Sequence, residues 1–124
     1  MKVRYLQVEP TTRCNYTCGF CVGRHLPQKD LSLDRFRSLI EQVEGLEALE
    51  LQGEGEPLMH PDFFRMVALA KARFPAVEIS MITNGSLFTA ENIEQILDHG
   101  IARIFVSVES VDDAEFQRIR GGKL

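Results

Sequence analysis

The sequence lacks any hydrophobic run long enough to cross a membrane. None of its apolar stretches approaches the roughly 20 residues that a spanning helix needs, and the segment Met1–Tyr5 does not begin a signal peptide, because charged residues follow at once. A basic excess is also missing: 14 Lys and Arg against 18 Asp and Glu give a formal charge of −4. We therefore expect a cytoplasmic protein that binds neither a membrane nor, through its charge, a nucleic acid.

Cysteine is scarce, and its placement is informative. The chain has three cysteines, and an odd number without an export signal argues against a disulfide framework. Cys14, Cys18 and Cys21 all lie within one eight-residue window. Basic residues that flank this window, Arg13 and Lys29 among them, are expected to favour the thiolate form of the cysteines.

The remaining sequence has the pattern of an α/β domain. Its 124 residues allow one domain, and apolar runs typical of strands recur at intervals of about 30 residues, the size of a βα unit. We predict four strands at Leu6–Val8, Ala48–Leu51, Val77–Ile82 and Ile104–Val108. Because the apolar residues run continuously more than they alternate, both faces of the parallel sheet are expected to be covered.

Helical periodicity fills the intervals between the predicted strands. Ser32 is the expected N-cap of the first helix and Gly45 its end. Pro61 is expected in the first turn of the second helix, while Thr89 should cap the third helix and Gly100 should end it. Three residues of the third helix are expected to face the core: Ile93, Ile96 and Leu97.

Polar or glycine-rich sequence follows each predicted strand. The segments are Glu9–Arg13, which the cysteines follow in the chain, Gly53–Pro57, Thr83–Gly85 and Ser107–Ser110. The carboxyl ends of parallel strands meet at the same edge of a sheet, where function gathers in this architecture. The four loops can therefore line one site.

The spacing of the three cysteines is compatible with two kinds of metal centre. Thiolates at positions i, i+4 and i+7 of a short loop can converge on an iron–sulfur cluster and leave one iron with an open coordination position. A structural zinc site takes four ligands, and His25 would have to supply the fourth. Burial of the three cysteines in the core is the remaining alternative, although their polar, glycine-containing surroundings suit a loop better.

The cysteine segment resembles the cluster-binding signature of a known enzyme family. Cys14, Cys18 and Cys21 form a CxxxCxxC pattern directly after a predicted strand, with the aromatic Phe20 before the last cysteine. This pattern resembles that of the radical S-adenosylmethionine (radical SAM) enzymes.

Other motifs of the same family follow in the same order. Gly53–Pro57 is similar to the family's glycine-glycine-glutamate-proline element, except that Glu54 separates the two glycines. Thr83–Gly85 is similar to the third-strand motif, and Ser107–Ser110 to a fourth-strand motif that more usually ends in Asp. Ile119–Gly121 resembles a turn that follows the fourth helix.

The resemblance implies a fold and an unfinished domain. Radical SAM cores are partial TIM-type barrels of parallel β/α units, and about four of the usual six units are expected in residues 1–124. We expect this core to be truncated on its C-terminal side, since the last residues resemble a chain that continues. The fourth strand would then be an exposed apolar edge, through which the chain is expected to associate with itself. The alternative is a compact domain that curls to protect this edge.

The resemblance also implies cofactors and a reaction. Cys14, Cys18 and Cys21 would each ligate one iron of a [4Fe–4S] cluster, and the amine and carboxylate of SAM would chelate the fourth iron. An electron donor such as flavodoxin or ferredoxin would reduce the cluster. SAM would then be cleaved to a 5′-deoxyadenosyl radical that abstracts hydrogen from the substrate.

Nine residues match positions that contact SAM in the family, although several of them have simpler explanations. They are Phe20, Gly53, Gly55, Glu56, Pro57, Asn84, Ser107, Glu109 and Arg120. Glu56 is expected to add negative charge or to fix its loop. The alternatives are a core position for Phe20, a turn for Asn84, a satisfied inward-facing hydroxyl for Ser107 and a solvated side chain for Arg120.

The substrate is not specified by the motifs. The segments around the cysteines and Gly53–Pro57 resemble a branch that includes peptide-modifying maturases and molybdopterin-cofactor enzymes, so a peptide or a small molecule is expected. No residue stands out as a catalytic acid or base. The alternative function is a non-catalytic zinc-binding module that uses Cys14, Cys18, Cys21 and His25.

Overall fold

The computed structural model of the chain describes residues 1–14 and 28–107. Strands and helices alternate over the described residues as the sequence predicts. The strands are β1 (Tyr5–Val8), β2 (Ala48–Leu51), β3 (Glu78–Thr83) and β4 (Arg103–Val106). The helices are α1 (Leu33–Gln42), α2 (Phe63–Arg73) and α3 (Ala90–Asp98), and a short 3₁₀ turn covers Pro57–Met59.

The four strands form one sheet in the order β1-β2-β3-β4. Every neighbouring pair is parallel, so the predicted parallel α/β fold is confirmed. The bounds of β2 are as predicted, whereas those of the other strands differ from the prediction by one or two residues. This topology brings the loops after all four strands to one edge of the sheet, as expected.

The core lies on one face of the sheet. Alternate residues of the two central strands, Leu49 and Leu51 on β2 and Ile79 and Met81 on β3, are completely buried. They belong to one cluster with the buried residues of α1 and α2. Short strands therefore contribute only every second side chain to the core.

The opposite face of the sheet carries a polar row and has no buried side chain in that row, so the expectation that both faces are covered is wrong for the described residues. The register aligns Gln7, Glu50, Ser80 and Arg103 in one row across the four strands. None of these four side chains is buried. The strands alternate after all, because each polar residue lies between apolar neighbours that point toward the helices.

Both predicted helix caps are confirmed. The Ser32 hydroxyl accepts a hydrogen bond from the N–H of Arg35 at the start of α1, and the Thr89 hydroxyl accepts one from Asn92 at the start of α3. Gly100 follows the end of α3 with a φ of +64°. This left-handed conformation costs glycine little and is common just after a helix.

Two predicted helix boundaries are wrong. The first helix ends at Gln42, three residues before Gly45, because Val43 already adopts an extended conformation. Pro61 precedes the second helix, since α2 begins at Phe63 after the N-cap position of Asp62. The proline at a first helical turn is instead Pro57, which opens the 3₁₀ turn.

The predicted inward face of the third helix is only partly confirmed. Ile96 is buried, but Ile93 is 44% and Leu97 74% exposed. Ile104 and Val106 of the last described strand are also exposed, at 37% and 46%. No described element covers this end of the sheet, which explains why two of the three residues do not face the core.

The β4 strand has the exposed apolar character that was predicted for it. It pairs with β3 alone among the described strands, and all four of its residues are exposed. The predicted fourth helix lies outside the described residues. Within the described part of the chain, no helix is both long and apolar enough to cross a bilayer.

Candidate cofactor-binding site

The described residues that precede and follow the cysteine segment lie next to each other. Thr11 and Asp30 form an antiparallel bridge. Beside it, the N–H of Thr12 donates to the carbonyl of Lys29 over 2.8 Å, and the N–H of Lys29 donates to the Thr12 hydroxyl over 2.7 Å. The base of the cysteine loop is therefore closed by backbone and side-chain hydrogen bonds.

An ion pair reinforces this closure. The Arg13 guanidinium donates to both carboxylate oxygens of Asp30, over 2.8 and 3.1 Å, and to the carbonyl of Met59 over 2.7 Å. These contacts with Arg13 lower the pKa of Asp30, and a 2.6 Å hydrogen bond from the Thr11 hydroxyl adds to the effect. Asp30 thus pairs with the Arg13 guanidinium, and the expectation that Arg13 favours the thiolate form of the cysteines stays a prediction.

The glycines of the loop after β2 lie against the loop after β1. A Cβ on Gly55 would overlap the Thr11 carbonyl oxygen and lie 2.6 Å from the Arg13 carbonyl oxygen. A Cβ on Gly53 would overlap the side chain of Glu9. The next residue, Glu56, donates its N–H to the Arg13 carbonyl over 2.7 Å. Because the atoms that a Cβ on Gly55 would meet belong to the backbone, glycine is required at this position for the close approach of the two loops.

Glu56 joins the same loop to the end of β3. Its carboxylate is 2% exposed and accepts hydrogen bonds from the Thr83 hydroxyl, the N–H of Asn84 and the N–H of Leu58, over 2.5, 2.7 and 3.3 Å. Burial raises the pKa of Glu56, although these three hydrogen bonds act in the opposite direction. Of the two expected roles for this side chain, its contacts fit the fixing of the loop.

Asn84 brings the end of β3 to the first cysteine. Its side-chain NH₂ donates to the Sγ of the half-buried Cys14 over 3.9 Å. Its Oδ1 accepts from the N–H and the hydroxyl of Ser86, over 2.9 and 2.7 Å. Gly85 supplies the left-handed residue of the turn, with a φ of +77°. Asn84 therefore lies in the predicted turn and also next to the first cysteine.

The remaining described site residues also lie at this edge of the sheet. Pro57 is buried at the start of the 3₁₀ turn. Ser107 is half-buried and donates its N–H to the carbonyl of Thr83 over 3.0 Å, which continues the pairing of β3 with β4. Six predicted residues lie outside the described part of the chain, and their roles stay predictions: Cys18, Phe20, Cys21, His25, Glu109 and Arg120.

Sequence reasoning missed His60, which joins the β2 loop to the chain beyond the cysteines. This side chain is 5% exposed. Its Nδ1 accepts from the N–H of Asp62 over 2.9 Å, so Nε2 carries the proton and donates to the carbonyl of Leu31 over 2.6 Å. Asp30, which sequence reasoning also missed, likewise joins two segments, at the base of the cysteine loop. A histidine within an apolar stretch between two prolines was the available signal for His60.

A family model confirms the resemblance that the motifs suggest. The model of the radical SAM superfamily matches residues 8–124. The chain belongs to the radical SAM superfamily. Membership agrees with the predicted [4Fe–4S] and SAM cofactors of this family of enzymes, and it does not favour the alternative of a zinc-binding module.

Curated relatives cover nearly all of this chain. The tungsten-containing aldehyde ferredoxin oxidoreductase cofactor-modifying protein of Pyrococcus furiosus is 32% identical over 118 residues, which are 91% of this chain and 33% of the relative. The GTP 3′,8-cyclase of Rhizobium leguminosarum is 33% identical over 126 residues, which are 94% of this chain and 35% of that enzyme. The chain thus spans about a third of the length of these relatives.

Solved structures share the fold. BtrN in complex with AdoMet and 2-DOIA matches with a TM-score of 0.74 at 20% identity, over 96% of this chain and 52% of BtrN. SuiB of Streptococcus suis, bound to the precursor peptide SuiA, matches with a TM-score of 0.78 at 17% identity. That match covers 96% of this chain and 27% of SuiB. These matches confirm the predicted radical SAM fold, a partial barrel of β/α units.

Proposed function

We propose that this chain holds the [4Fe–4S] cluster and SAM of a radical SAM enzyme whose whole protein abstracts hydrogen from its substrate. One observation carries the proposal. The Sγ of Cys14 lies at the carboxyl edge of the parallel sheet, 3.9 Å from the Asn84 amide, where the loops after β1, β2 and β3 contact one another. Catalytic sites of parallel α/β folds form at that edge.

The chemistry of the donor set fits the cluster. Cys14, Cys18 and Cys21 are three soft thiolate donors on one loop, which suit iron–sulfur ligation and leave one iron open to SAM. When bound, the cluster and SAM supply a one-electron cleavage that yields a 5′-deoxyadenosyl radical. The chain's own contribution is to hold the cysteine loop: the Arg13–Asp30 ion pair closes its base.

The nine residues matched to SAM contacts have two kinds of role in this proposal. Glu56 is almost fully buried and both its oxygens accept hydrogen bonds within the chain, so its role in this proposal is to hold the loops together. Gly53, Gly55 and Pro57 shape the same loop. Direct contact with SAM then falls to the other five residues: Phe20, Asn84, Ser107, Glu109 and Arg120.

The substrate is a small molecule or a peptide in this proposal, of the cofactor- or peptide-maturation type. The relatives support this class, because one is named a cofactor-modifying protein and SuiB was solved bound to a precursor peptide. Residues 1–124 would form part of the core domain, which works in the reducing cytoplasm with a one-electron donor such as flavodoxin or ferredoxin.

Metal content after anaerobic reconstitution tests the cluster and separates it from the zinc alternative. The chain is expected to bind about four irons, with a broad thiolate-to-iron absorption. Replacing Cys14, Cys18 or Cys21 by Ala is expected to abolish both, while His25→Ala, the matched control, is expected to change neither. One zinc per chain without brown colour, lost in His25→Ala, would refute the proposal.

Product analysis tests the reaction. Cluster-loaded chain reduced with dithionite is expected to convert SAM to 5′-deoxyadenosine and methionine, separated by chromatography. The Cys18→Ala variant serves as the control for cleavage without a cluster. A reduced, loaded protein that binds SAM and never yields deoxyadenosine would contradict the enzymatic function.

A further inference from the structure

Resting on the proposed function, we infer that Asn84 is a positioning residue that tunes the cluster's reduction potential through an N–H···S hydrogen bond to the ligand Cys14. The side-chain NH₂ of Asn84 lies 3.9 Å from the Cys14 Sγ. Sulfur is a large acceptor, and the separation is that of a weak hydrogen bond. Hydrogen bonds to the sulfurs are among the factors that set the potential of iron–sulfur clusters.

The neighbours of Asn84 determine which side of its amide faces the sulfur. The N–H of Ser86 can only donate, and it points at the oxygen of the amide over 2.9 Å, joined by the Ser86 hydroxyl over 2.7 Å. If the amide were rotated by half a turn, its NH₂ group would face the N–H of Ser86, and two donors would oppose each other. The NH₂ group must therefore face Cys14.

The backbone of Asn84 is held just as firmly. Its N–H donates to the buried carboxylate of Glu56 over 2.7 Å, and the preceding Thr83 hydroxyl donates to the same carboxylate. Asn84 itself is 9% exposed, so little water competes for its side chain. The N–H dipole is thus fixed toward the sulfur before any cofactor binds.

A fixed dipole of this orientation favours the reduced cluster. Reduction transfers one electron from the donor to the cluster, and no proton is needed for the balance. The cluster gains one unit of negative charge, part of which resides on the thiolate sulfurs, and the positive end of the N–H dipole stabilises that charge. Asn84 should therefore make the cluster easier to reduce than the three thiolates alone would.

Redox titration of the reconstituted chain, followed by the EPR signal of the reduced cluster, tests this inference. Asn84→Ala removes the donor and is expected to lower the equilibrium constant for reduction by up to about tenfold. For a one-electron couple this is a fall in the reduction potential of up to about 59 mV. Asn84→Asp places a carboxylate near the sulfur and should lower the potential further. Asn92→Asp, the same change on α3, is the matched control and should leave the potential unchanged.

Ser86→Ala provides a second, milder variant. It removes one of the two donors that orient the Asn84 amide, so a smaller shift in the same direction is expected. Full iron content with unchanged potentials in Asn84→Ala and Asn84→Asp would overturn the inference and leave the proposed function intact. If those two variants hold no cluster, an unchanged potential in Ser86→Ala overturns it instead. A wild-type chain without a cluster would refute the proposed function itself.

Discussion

Replacing Glu56 by Gln should destabilise the protein, and the structure sets the size of the effect. Oε2 accepts from the N–H of Asn84, while Oε1 accepts from the Thr83 hydroxyl and the N–H of Leu58. A glutamine amide keeps one oxygen, so in either orientation its NH₂ opposes a backbone N–H. A buried donor without an acceptor costs about 1–3 kcal/mol.

Relief from burying a charge offsets part of this cost. Burial raises the pKa of Glu56, which means that its ionised form is less favourable in the folded chain than in the unfolded one. We therefore expect a net loss of about 1–2 kcal/mol in the free energy of unfolding at neutral pH. Glu56→Ala, which removes all three acceptor contacts and leaves a cavity, should cost about 3 kcal/mol or more.

Urea denaturation of the two variants and of the wild type, monitored by circular dichroism, measures these losses. Glu54→Gln is the matched control, because it removes a charge from an exposed side chain in the same loop. A loss in Glu56→Gln no larger than that in Glu54→Gln would refute the reasoning.

The pH dependence gives an independent check of sign. A carboxyl group whose pKa is raised on folding stabilises the fold fully below its ordinary pKa of 4.5 and loses that contribution as the pH rises through the folded value. The advantage of the wild type over Glu56→Gln should therefore shrink as the pH rises above 4.5. An advantage that grows between about pH 5 and about pH 8 would mean that the ionised carboxylate is the favoured form.

Three further predictions concern the loops and the sheet edge. Gly55→Ala should lower the free energy of unfolding, measured by urea denaturation, by about 1–3 kcal/mol. The loss should exceed that of Gly53→Ala, because a Cβ at position 55 meets backbone atoms and a Cβ at position 53 meets a movable side chain. Equal losses would contradict this reasoning. Asp30→Asn should lower the free energy of unfolding by about 1 kcal/mol or less. Since folding lowers the pKa of Asp30, the higher thermal stability of the wild type should disappear as the pH falls through the pKa of Asp30 in the folded chain. A stability advantage that persists in acid would speak against the ion pair. Self-association through β4 should be weakened by Phe105→Lys but not by Leu97→Lys, as measured by light scattering; a wild-type chain that is monomeric at every concentration would exclude it.

Local patterns account for the success of the fold prediction. Ser32 and Thr89 cap their helices through hydrogen bonds within four residues of chain, so the information that places these caps is local. The same holds for the residues of β2 and for Gly100 after α3. Hydrophobic periodicity and capping act over a few residues, which a sequence displays directly.

Errors arose where a boundary or a face depends on distant neighbours. Gly45 looks like a helix end, but Val43 is already extended. Ile93 and Leu97 have the spacing of core residues, yet no described element packs over them. Apolar spacing shows that a face can be buried, and only the arrangement of the other elements decides whether it is.

For the candidate site, the sequence by itself determined the ingredients. Three cysteines in CxxxCxxC, a glycine-acid-proline loop and an Asn-Gly turn, each after its own strand, were sufficient to predict the family and the edge of the sheet. Only the tertiary structure decided what these residues contact. Arg13 pairs with Asp30, 17 residues away, Glu56 holds the end of β3, 27 residues away, and Asn84 reaches Cys14 across 70 residues. Such contacts depend on how parallel strands bring distant loops to one edge, and that register is a property of the whole sheet and not of any segment.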